Sequence, residues 1–543
     1  MLTNRPLWTE QLYRPRGGQD HLGLGSVVTD RMLPVLAPGI NVLTRHPRYW
    51  SFYAFVIDEF WRTGSAQNMS EFRKFLRRKE SIFAAANLIC DPAPRNQVIG
   101  TRLVGPLVAS KPRSLQTAFN YMKSLGGGYG LYYATAMQTT GTVILANRDV
   151  GLPVDALTPN IGKPLADSFR DSISKTKYFQ KYLNKEDIPV KVVEEYGESC
   201  SLWSLQHESD ERASLVNMFL HGGPENMAAS RRKTLQMMLE MSAQANGISL
   251  SQDVFRQLVI YHSAIDESHR VIAHYRPTSE LTEISRHWRI AQLREMFNWS
   301  LNGLWRWVCL WGGENGGDLG SAHLSELERS MKKINLRLLE GVSSNGSDPI
   351  GEFIDQLSAG AEITGILDGK WKRTSDLSEM SLMNLMKSDK LSQRNSLAVL
   401  FAMYLVTLLR IRNVHLEESD ERMIREGGSL RVGMASALIA LERDITSQRS
   451  VVETAMRVVK DHVITQHERV AMAKLPDDTF RFRREGGKLL FFDQAISFDL
   501  NNSRYASIAA VCGDLRWTTY LDEPKRELTE EGKKLRLRGD VGD

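Results

Sequence analysis

The strongest constraint on the fold is an aromatic segment at residues 33–62, LPVLAPGINVLTRHPRYWSFYAFVIDEFWR. Pro47 lies where a helix would begin, a position that tolerates its missing N–H group and its fixed φ angle. The apolar residues that follow recur at spacings of three and four, which predicts one buried helical face. They are Tyr49, Phe52, Tyr53, Val56 and Phe60. Each buried aromatic ring removes ~150–250 Å² from water, so the sequence predicts a core helix covered by several other elements.

A polar, basic patch precedes this helix. Thr44, Arg45 and His46 lie just before Pro47, and Arg48 falls in the predicted first turn. The start of a helix attracts anions because its dipole is positive there and its first N–H groups lack partners within the helix. We therefore predict that Arg45, His46 and Arg48 bind a phosphate or a carboxylate.

The same segment carries a resemblance to known proteins. The order Pro-Gly-Ile-Asn at 38–41, followed by Thr-Arg-x-x-Arg-Tyr-x-x-Phe at 44–52, resembles the opening of uncharacterised bacterial proteins of the unknown-function-domain type. More distant similarity lies at 126–133, GGGYGLYY, and at 462–489. Those proteins occur in defence and mobile-element gene neighbourhoods. The resemblance implies a protein of a bacterial antiviral defence or mobile-element system that acts with partner proteins, and it implies no catalytic residue.

The length of the chain bounds its architecture. A chain of 543 residues is too long for one hydrophobic core, so about two to four domains are expected. Helical periodicity dominates, and we predict a mainly α, multi-domain protein with winged-helix-like α+β modules near the N-terminal third and at the C-terminus. The expected domains are 1–190, 191–345, 346–474 and 475–543.

Composition and charge indicate a cytoplasmic protein. The four cysteines are far apart and form no C-x-x-C pair, which argues against a disulfide framework and a zinc knuckle. The opening MLTNRPLWTE lacks the apolar run of a signal peptide. The longest apolar run, 397–409, is shorter than the ~18–20 residues that cross a bilayer, so we predict a buried helix and no membrane contact. A net charge of +5 is spread thinly, so any nucleic-acid binding must depend on local clusters.

A short pattern occurs twice, as LTPNIGK at 157–163 and, one residue tighter, as LTEEGK at 528–533. Many winged-helix domains close in this way, with a strand that ends at Leu-Thr and a helix that packs back on the core. The residues before the second copy predict a helix at 503–515 and a strand at 516–521. The alternative is a chance likeness between two common strand-turn-helix corners.

Basic residues concentrate near the C-terminus. A hairpin is predicted where TFRFRR and KLLFFD flank Glu485-Gly486-Gly487. The hairpin and the last helices are the elements that a winged helix presents to phosphates. We predict that nucleic acid, with duplex DNA as the expected form, binds here through Arg481, Arg483, Arg504, Arg516, Lys533 and Lys534. Acidic residues are interleaved, so pairing of lysine with glutamate on a solvated face is the alternative.

Five of the eleven tryptophans fall between positions 288 and 311, on a helical pattern of apolar residues. Such a stripe could stack bases. Core packing is favoured, because only Arg294 and Arg306 alternate with the rings.

One spacing suggests catalysis. Arg410 and His415 have the R-x4-H spacing that a superfamily of small helical ribonucleases uses, in which arginine would hold the scissile phosphate and histidine would move the proton. A charged helix end explains the pair equally well. No cofactor motif and no metal-ligand spacing was found. The sequence favours a non-catalytic nucleic-acid-binding or scaffold subunit without cofactor or metal, and a metal-independent ribonuclease that uses Arg410 and His415 is the alternative.

Overall fold

The computed structural model describes most of the chain. The described residues are 20–64, 67–91, 98–117, 121–245, 248, 250–266, 268, 270–316, 320–360, 378–387, 391–412, 417–418, 420, 432–475, 479–492, 499–519 and 527–542. They are mainly helical, which confirms the mainly α prediction. The finer prediction of winged-helix modules is not confirmed.

Helices of three kinds make up most of the described residues. The α-helices are Gly25–Val27, Leu33–Leu36, Arg48–Arg62, Met69–Cys90, Thr101–Ala109, Ala134–Thr139, Gly162–Ile173, Val190–Cys200, Asp210–His221, Glu225–Gln244, Gln252–Tyr261, Thr282–Gly316, Leu324–Met331, Ile350–Gly360, Glu379–Lys387, Gln393–Arg412, Met434–Thr446, Val451–Arg457, Thr465–Ala473, Tyr505–Asp514 and Glu530–Arg538. The π-helical turns are Val28–Met32, Tyr129–Tyr133, Tyr178–Tyr182 and Val458–Ile464, and the 3-10 turns are Arg148–Val150, Ser279–Leu281 and Leu336–Leu338.

The strands are short and antiparallel. They form three two-stranded sheets and one three-stranded sheet among the described residues. The pairs are Ser114–Gln116 with Asp187–Pro189, Val143–Ile144 with Ala156–Leu157, and Ser263–Ile265 with Val271–His274, and in the larger sheet Lys488–Phe491 lies between Ser321–His323 and Phe482–Glu485. The predicted hairpin at 482–491 is therefore present, and it has a third strand that the sequence did not predict.

The chain forms two compact units, each built from separate stretches of sequence. We call the first the flanking unit, which comprises the described parts of 34–252, 279–284 and 503–543. The second is the central unit, which comprises the described parts of 1–33, 253–278 and 285–502. This division differs from the four consecutive domains expected from the sequence, because periodicity along a chain does not report which distant stretches pack together.

The aromatic helix Arg48–Arg62 lies in the core of the flanking unit, as predicted. Every residue from Arg48 to Ile57 is buried, so the buried surface is wider than one face. Phe52 stacks on Phe83 with ring centroids 4.0 Å apart, and helix Gly162–Ile173 packs along the aromatic helix. The helix is therefore held by packing on several sides.

In the central unit, helix Gln393–Arg412 is the buried apolar helix that the run at 397–409 predicts. All residues from Leu397 to Ile411 are buried. Within the described part of the chain it is the one helix long and apolar enough to cross a membrane by length and composition, and most of it is covered by protein. The tryptophans of helix Thr282–Gly316 that the sequence placed in a core are also buried.

The two Leu-Thr patterns form the same hydrogen-bonded corner in the flanking unit. In the first copy the Thr158 N–H donates to Thr142 O at 3.1 Å, and the Thr158 hydroxyl donates to Gly141 O at 2.5 Å. The hydroxyl also accepts from the Gly162 N–H at 3.0 Å. A Cβ atom at Gly162 would collide with the carbonyl oxygen of Thr142. The corner therefore needs both the threonine and the glycine of the pattern.

The second copy repeats each of these contacts. The Thr529 N–H donates to Trp517 O at 3.1 Å, its hydroxyl donates to Arg516 O at 2.6 Å, and the Gly532 N–H donates to that hydroxyl at 3.1 Å. A Cβ at Gly532 would collide with Trp517 O. Among the described residues only an isolated bridge, Thr518 to Leu528, stands where a strand at 516–521 was predicted, and 520–526 lie outside the described ranges.

The expected module at 475–543 is not one body. Its hairpin belongs to the central unit, where it pairs with Ser321–His323. Helices Tyr505–Asp514 and Glu530–Arg538 belong to the flanking unit, where both pack on helix Glu225–Gln244. The Leu-Thr pattern therefore predicts the local corner correctly, and the C-terminal winged-helix prediction that was built on it is not confirmed.

Candidate anion-binding cavity

The flanking unit contains a cavity of about 810 Å³ beside the start of the aromatic helix. We call it the tyrosine cavity, because its wall includes Tyr49, Tyr121, Tyr132 and Tyr133. Its volume falls within the range of roughly 300–1,000 Å³ that small-molecule sites occupy. Two residues that the sequence predicted for anion binding, Arg45 and His46, line it.

Three cationic side chains converge on this cavity. Arg45 comes from the loop before the aromatic helix, Arg102 from the first turn of helix Thr101–Ala109, and Lys123 from the segment that follows Tyr121. Arg45 is half-buried, whereas Arg102 and Lys123 are exposed. Among the described residues none of the three is ion-paired with a carboxylate. The cavity wall is therefore a place of uncompensated positive charge.

His46 adds a polar group to the same wall. The side chain is 5 % exposed, and its Nδ1 lies 2.8 Å from Asp514 Oδ2. A carboxylate at this position favours the tautomer with a proton on Nδ1. Nε2 of His46 has no hydrogen-bond partner in the described part of the chain.

The tyrosine rings are held in place by hydrogen bonds and packing. The hydroxyl of Tyr49 accepts from the Ile99 N–H at 2.9 Å, and the ring of Tyr49 lies 5.0 Å from that of Tyr133. Burial raises the pKa of Tyr49 above its usual range, so this phenol stays neutral. Tyr132 is only half-buried. It is therefore the ring best placed to contact a ligand.

A buried carboxylate lies behind this wall. Glu80 accepts from the Tyr121 hydroxyl and from the N–H groups of Gly128 and Tyr129, the last at 2.8 Å. Burial raises the pKa of Glu80 from 4.5 to about 7, against these hydrogen bonds. Gly127 has φ +63°, and a Cβ there would collide with Glu80. The glycine-rich run GGGYG thus wraps a carboxylate of its own chain.

Arg48, predicted as an anion-binding residue, has a different role. Its guanidinium is buried, with Nε 3.0 Å and Nη2 2.9 Å from the two carboxylate oxygens of Glu211. The first N–H groups of the aromatic helix are also used, since Tyr49 donates to His46 O and Trp50 to Pro47 O. The sequence could not show that Glu211, 163 positions away, neutralises this arginine. Arg48 is therefore a structural ion-pair residue.

The predicted basic residues at the end of the chain are mostly engaged within the flanking unit. Arg504 is buried, and its Nη1 donates to Ile40 O at 2.8 Å, which corrects its assignment as a nucleic-acid contact. Arg516 is half-buried in a left-handed backbone conformation at φ +59°. Lys533 is exposed and pairs with Glu530 at 2.6 Å, as the lysine–glutamate alternative predicts. Lys534 is half-buried.

The hairpin residues lie in the central unit. Arg483 is exposed, pairs with Glu485 at 3.2 Å and covers the ring of Phe492. Arg481 is half-buried, and its backbone N–H donates to His467 Nε2 at 3.0 Å. The predicted C-terminal cluster is therefore divided between the two units.

The residues of the ribonuclease alternative do not form a described site. Arg410 is buried with its Nε 2.5 Å from Glu379 Oε1, and its guanidinium lies over the ring of Tyr261. A buried, ion-paired arginine is not available to hold a scissile phosphate, so this assignment is wrong for Arg410. His415 lies outside the described residues.

Sequence reasoning missed Arg102, Lys123 and Asp514. Each is far along the chain from Arg45 and His46, and none belongs to a recognisable motif. Only the fold brings Arg102 and Lys123 to the cavity wall and Asp514 against His46.

Comparison of the chain with protein-family models, with curated proteins and with solved structures found no match.

Proposed function

We propose that this protein is a non-catalytic nucleic-acid-binding subunit that acts with partner proteins in a bacterial antiviral defence or mobile-element system. The observation that supports it is the convergence of Arg45, Arg102 and Lys123 on the tyrosine cavity without carboxylate partners among the described residues. Cations without carboxylate partners are suited to phosphate oxygens, which supply most of the affinity of proteins for nucleic acid. The biological setting rests on the resemblance of the aromatic segment.

The shape of the cavity favours an unpaired nucleotide. Tyr132 offers a half-exposed ring, and the exposed side chains of Leu43 and Leu103 supply apolar contact at the rim. Stacking of a base on an aromatic ring contributes about 1–3 kcal/mol and tolerates any base. We therefore propose that phosphates bind the three cations while one base packs against Tyr132, as a single strand or a strand end allows.

The sequence predicts duplex DNA as the ligand, so the binding experiment described below measures duplex DNA separately from single strands. Of the two predicted winged-helix-like modules the proposal retains only the first, where hairpin Val143–Ile144 with Ala156–Leu157 precedes helix Gly162–Ile173. The ribonuclease alternative is not retained, because Arg410 is buried in an internal ion pair.

The experiment is a salt series of binding to labelled single-stranded DNA, RNA and duplex DNA. The test variant carries Arg45→Ala, Arg102→Ala and Lys123→Ala. The matched control carries Lys74→Ala, Arg78→Ala and Lys177→Ala, which remove the same charge from exposed ion pairs of the same unit. Each phosphate contact on a single strand contributes about −0.7 to the slope of log affinity against log salt concentration. The magnitude of this slope should therefore be about 2 smaller for the test variant than for the parent protein.

The control should keep the slope of the parent protein. Absence of salt-sensitive binding by the parent, or an equal slope in both variants, would contradict the proposal and leave protein scaffolding as the function. Tighter binding of duplex than of single strands would contradict the unpaired nucleotide.

A further inference from the structure

The central unit contains a second cavity, of about 630 Å³, beside the tryptophan-rich helix Thr282–Gly316. We call it the tryptophan cavity. Four regions line it: that long helix, the end of helix Leu324–Met331 with the turn that follows, helix Glu379–Lys387, and the start of helix Gln393–Arg412 with the residues before it. The sequence placed the tryptophans in a core and gave no function to this region.

The charges on the wall are mainly positive. Arg306, Lys333 and Arg394 line the cavity, and Glu314 is the single carboxylate among its described lining residues. Within the described ranges none of the three cations is ion-paired. Lys333 and Arg394 are exposed, so both can turn toward a ligand at little energetic cost.

Two polar groups at the wall lack acceptors. Nε of Arg306 and Nε2 of Gln393 are buried and have no hydrogen-bond partner among the described residues. A buried donor without an acceptor costs about 1–3 kcal/mol. Gln393 also begins a 20-residue helix, whose positive dipole end favours anions. Charge, unsatisfied donors and the helix start therefore all favour the same kind of ligand.

The tryptophans give the cavity a fixed apolar side. Trp307 Nε1 donates to Gln393 O at 2.8 Å, and Trp311 Nε1 donates to Ser330 Oγ at 2.9 Å. Both indole N–H groups are thus used inside the protein. The rings are 4 % and 1 % exposed, so they hold the wall in position without a ligand, and the exposed side chain of Leu310 adds apolar surface to it.

We propose that the tryptophan cavity binds a phosphorylated small molecule of nucleotide size. Its phosphates contact Arg306, Lys333 and Arg394, because phosphate offers several charged acceptors to several donors at once. Its remaining part packs against the apolar side of the cavity, whose volume suits a ligand of that size. This site is separate from the tyrosine cavity and does not depend on the function proposed above.

The test is calorimetric titration of the full chain with ATP and with inorganic pyrophosphate, in the presence of a chelator. The test variant carries Lys333→Ala and Arg394→Ala. Its matched control carries Lys332→Ala and Arg337→Ala, which remove the same charge from exposed positions nearby that do not line the cavity. We expect ATP to bind the parent at least tenfold more tightly than pyrophosphate, since only ATP reaches the apolar side.

The test variant should bind ATP at least tenfold more weakly than the parent, and the control within twofold. The triple variant of the tyrosine cavity should also bind ATP as the parent does, which separates failure here from failure of the proposed function. Absence of ATP binding by the parent, equal affinity of both double variants, or ATP bound no more tightly than pyrophosphate would overturn the proposal. Should the double variant lose its thermal transition, the single Lys333→Ala and Arg394→Ala variants replace it, each with an expected loss of threefold or more.

Discussion

The two Leu-Thr corners of the flanking unit, at 157–163 and 528–533, have the same hydrogen bonds but different surroundings. Each follows a helix end of the same form, in which Thr142 N donates to Met137 O at 2.8 Å and Trp517 N donates to Cys512 O at 2.9 Å. In the first corner the threonine directly follows a strand of a two-stranded hairpin, whereas the described residues of the second show only an isolated bridge. The pattern therefore encodes a corner between chain segments and does not by itself encode a winged helix.

Two local differences accompany the change in spacing. Thr529 is the N-cap of helix Glu530–Arg538, whereas Thr158 lies four residues before the first residue of its helix and bonds Gly162 across a turn that is one residue longer. The left-handed position before each corner is occupied by Gly141 at φ +67° in the first copy and by Arg516 at φ +59° in the second. The second corner therefore carries backbone strain that the first avoids, since only glycine adopts this conformation freely.

The largest expected effect comes from the core of the unit that holds both corners. Burial raises the pKa of Glu80 from 4.5 to about 7, so between these values the folded protein holds a proton that the unfolded chain has released. Protonated Glu80 therefore contributes on the order of 3 kcal/mol to the free energy of unfolding below pH 4.5, and this contribution is lost as pH rises through 7. Urea denaturation from pH 4.5 to 8 should show this loss in the parent relative to Glu80→Gln. Parallel curves for the two proteins would show that Glu80 does not titrate in this range.

The next largest effect tests whether the corners are equivalent. Gly162→Ala and Gly532→Ala each place a Cβ against a carbonyl oxygen, of Thr142 and Trp517 respectively. We expect each to reduce the free energy of unfolding by about 2 kcal/mol, because the backbone must shift. Gly105→Ala is the control, since a Cβ at that helical glycine meets only the methyl group of Thr101, at 4.0 Å. Equivalence of the corners is disproved if one variant is as stable as the parent and the other is not.

These corners show what the sequence could predict and what it could not. Local patterns predicted four features: the Leu-Thr corners, the aromatic helix, the hairpin at 482–491 and the buried helix at 397–409. Each of these depends on residues that are close together in the chain. Whether an arginine is free depends on distant partners. Arg45 has no carboxylate partner among the described residues, whereas Arg48, three residues later, is neutralised by Glu211. The cavity required Arg102 and Lys123, which no local signal connects to Arg45.

A smaller effect concerns the threonine hydroxyls. Thr158→Val and Thr529→Val keep the branched shape and remove one donor and one acceptor each. We expect a loss of about 1–2 kcal/mol, the magnitude for a lost capping interaction. Thermal denaturation of the two variants measures this loss. The control is Thr139→Val, because Thr139 is a helical threonine with a solvent-exposed hydrogen bond. If Thr529→Val alone is destabilised, the hydrogen bonds of the Thr158 hydroxyl contribute nothing to the free energy of unfolding.

The smallest effect addresses the left-handed position, which is Gly141 in the first corner and Arg516 in the second. Arg516 adopts φ +59°, a conformation that is unfavourable by about 1–2 kcal/mol for a residue with a Cβ. Arg516→Gly relieves this strain but also removes the side chain, so it is compared with Arg516→Ala, which removes the side chain and keeps the strain. Because glycine also increases the entropy of the unfolded chain, we expect Arg516→Gly to exceed Arg516→Ala by about 0.5–1 kcal/mol in the free energy of unfolding. Equal stability of the two variants would mean that the backbone at 516 does not hold the left-handed conformation that Gly141 holds in the first corner.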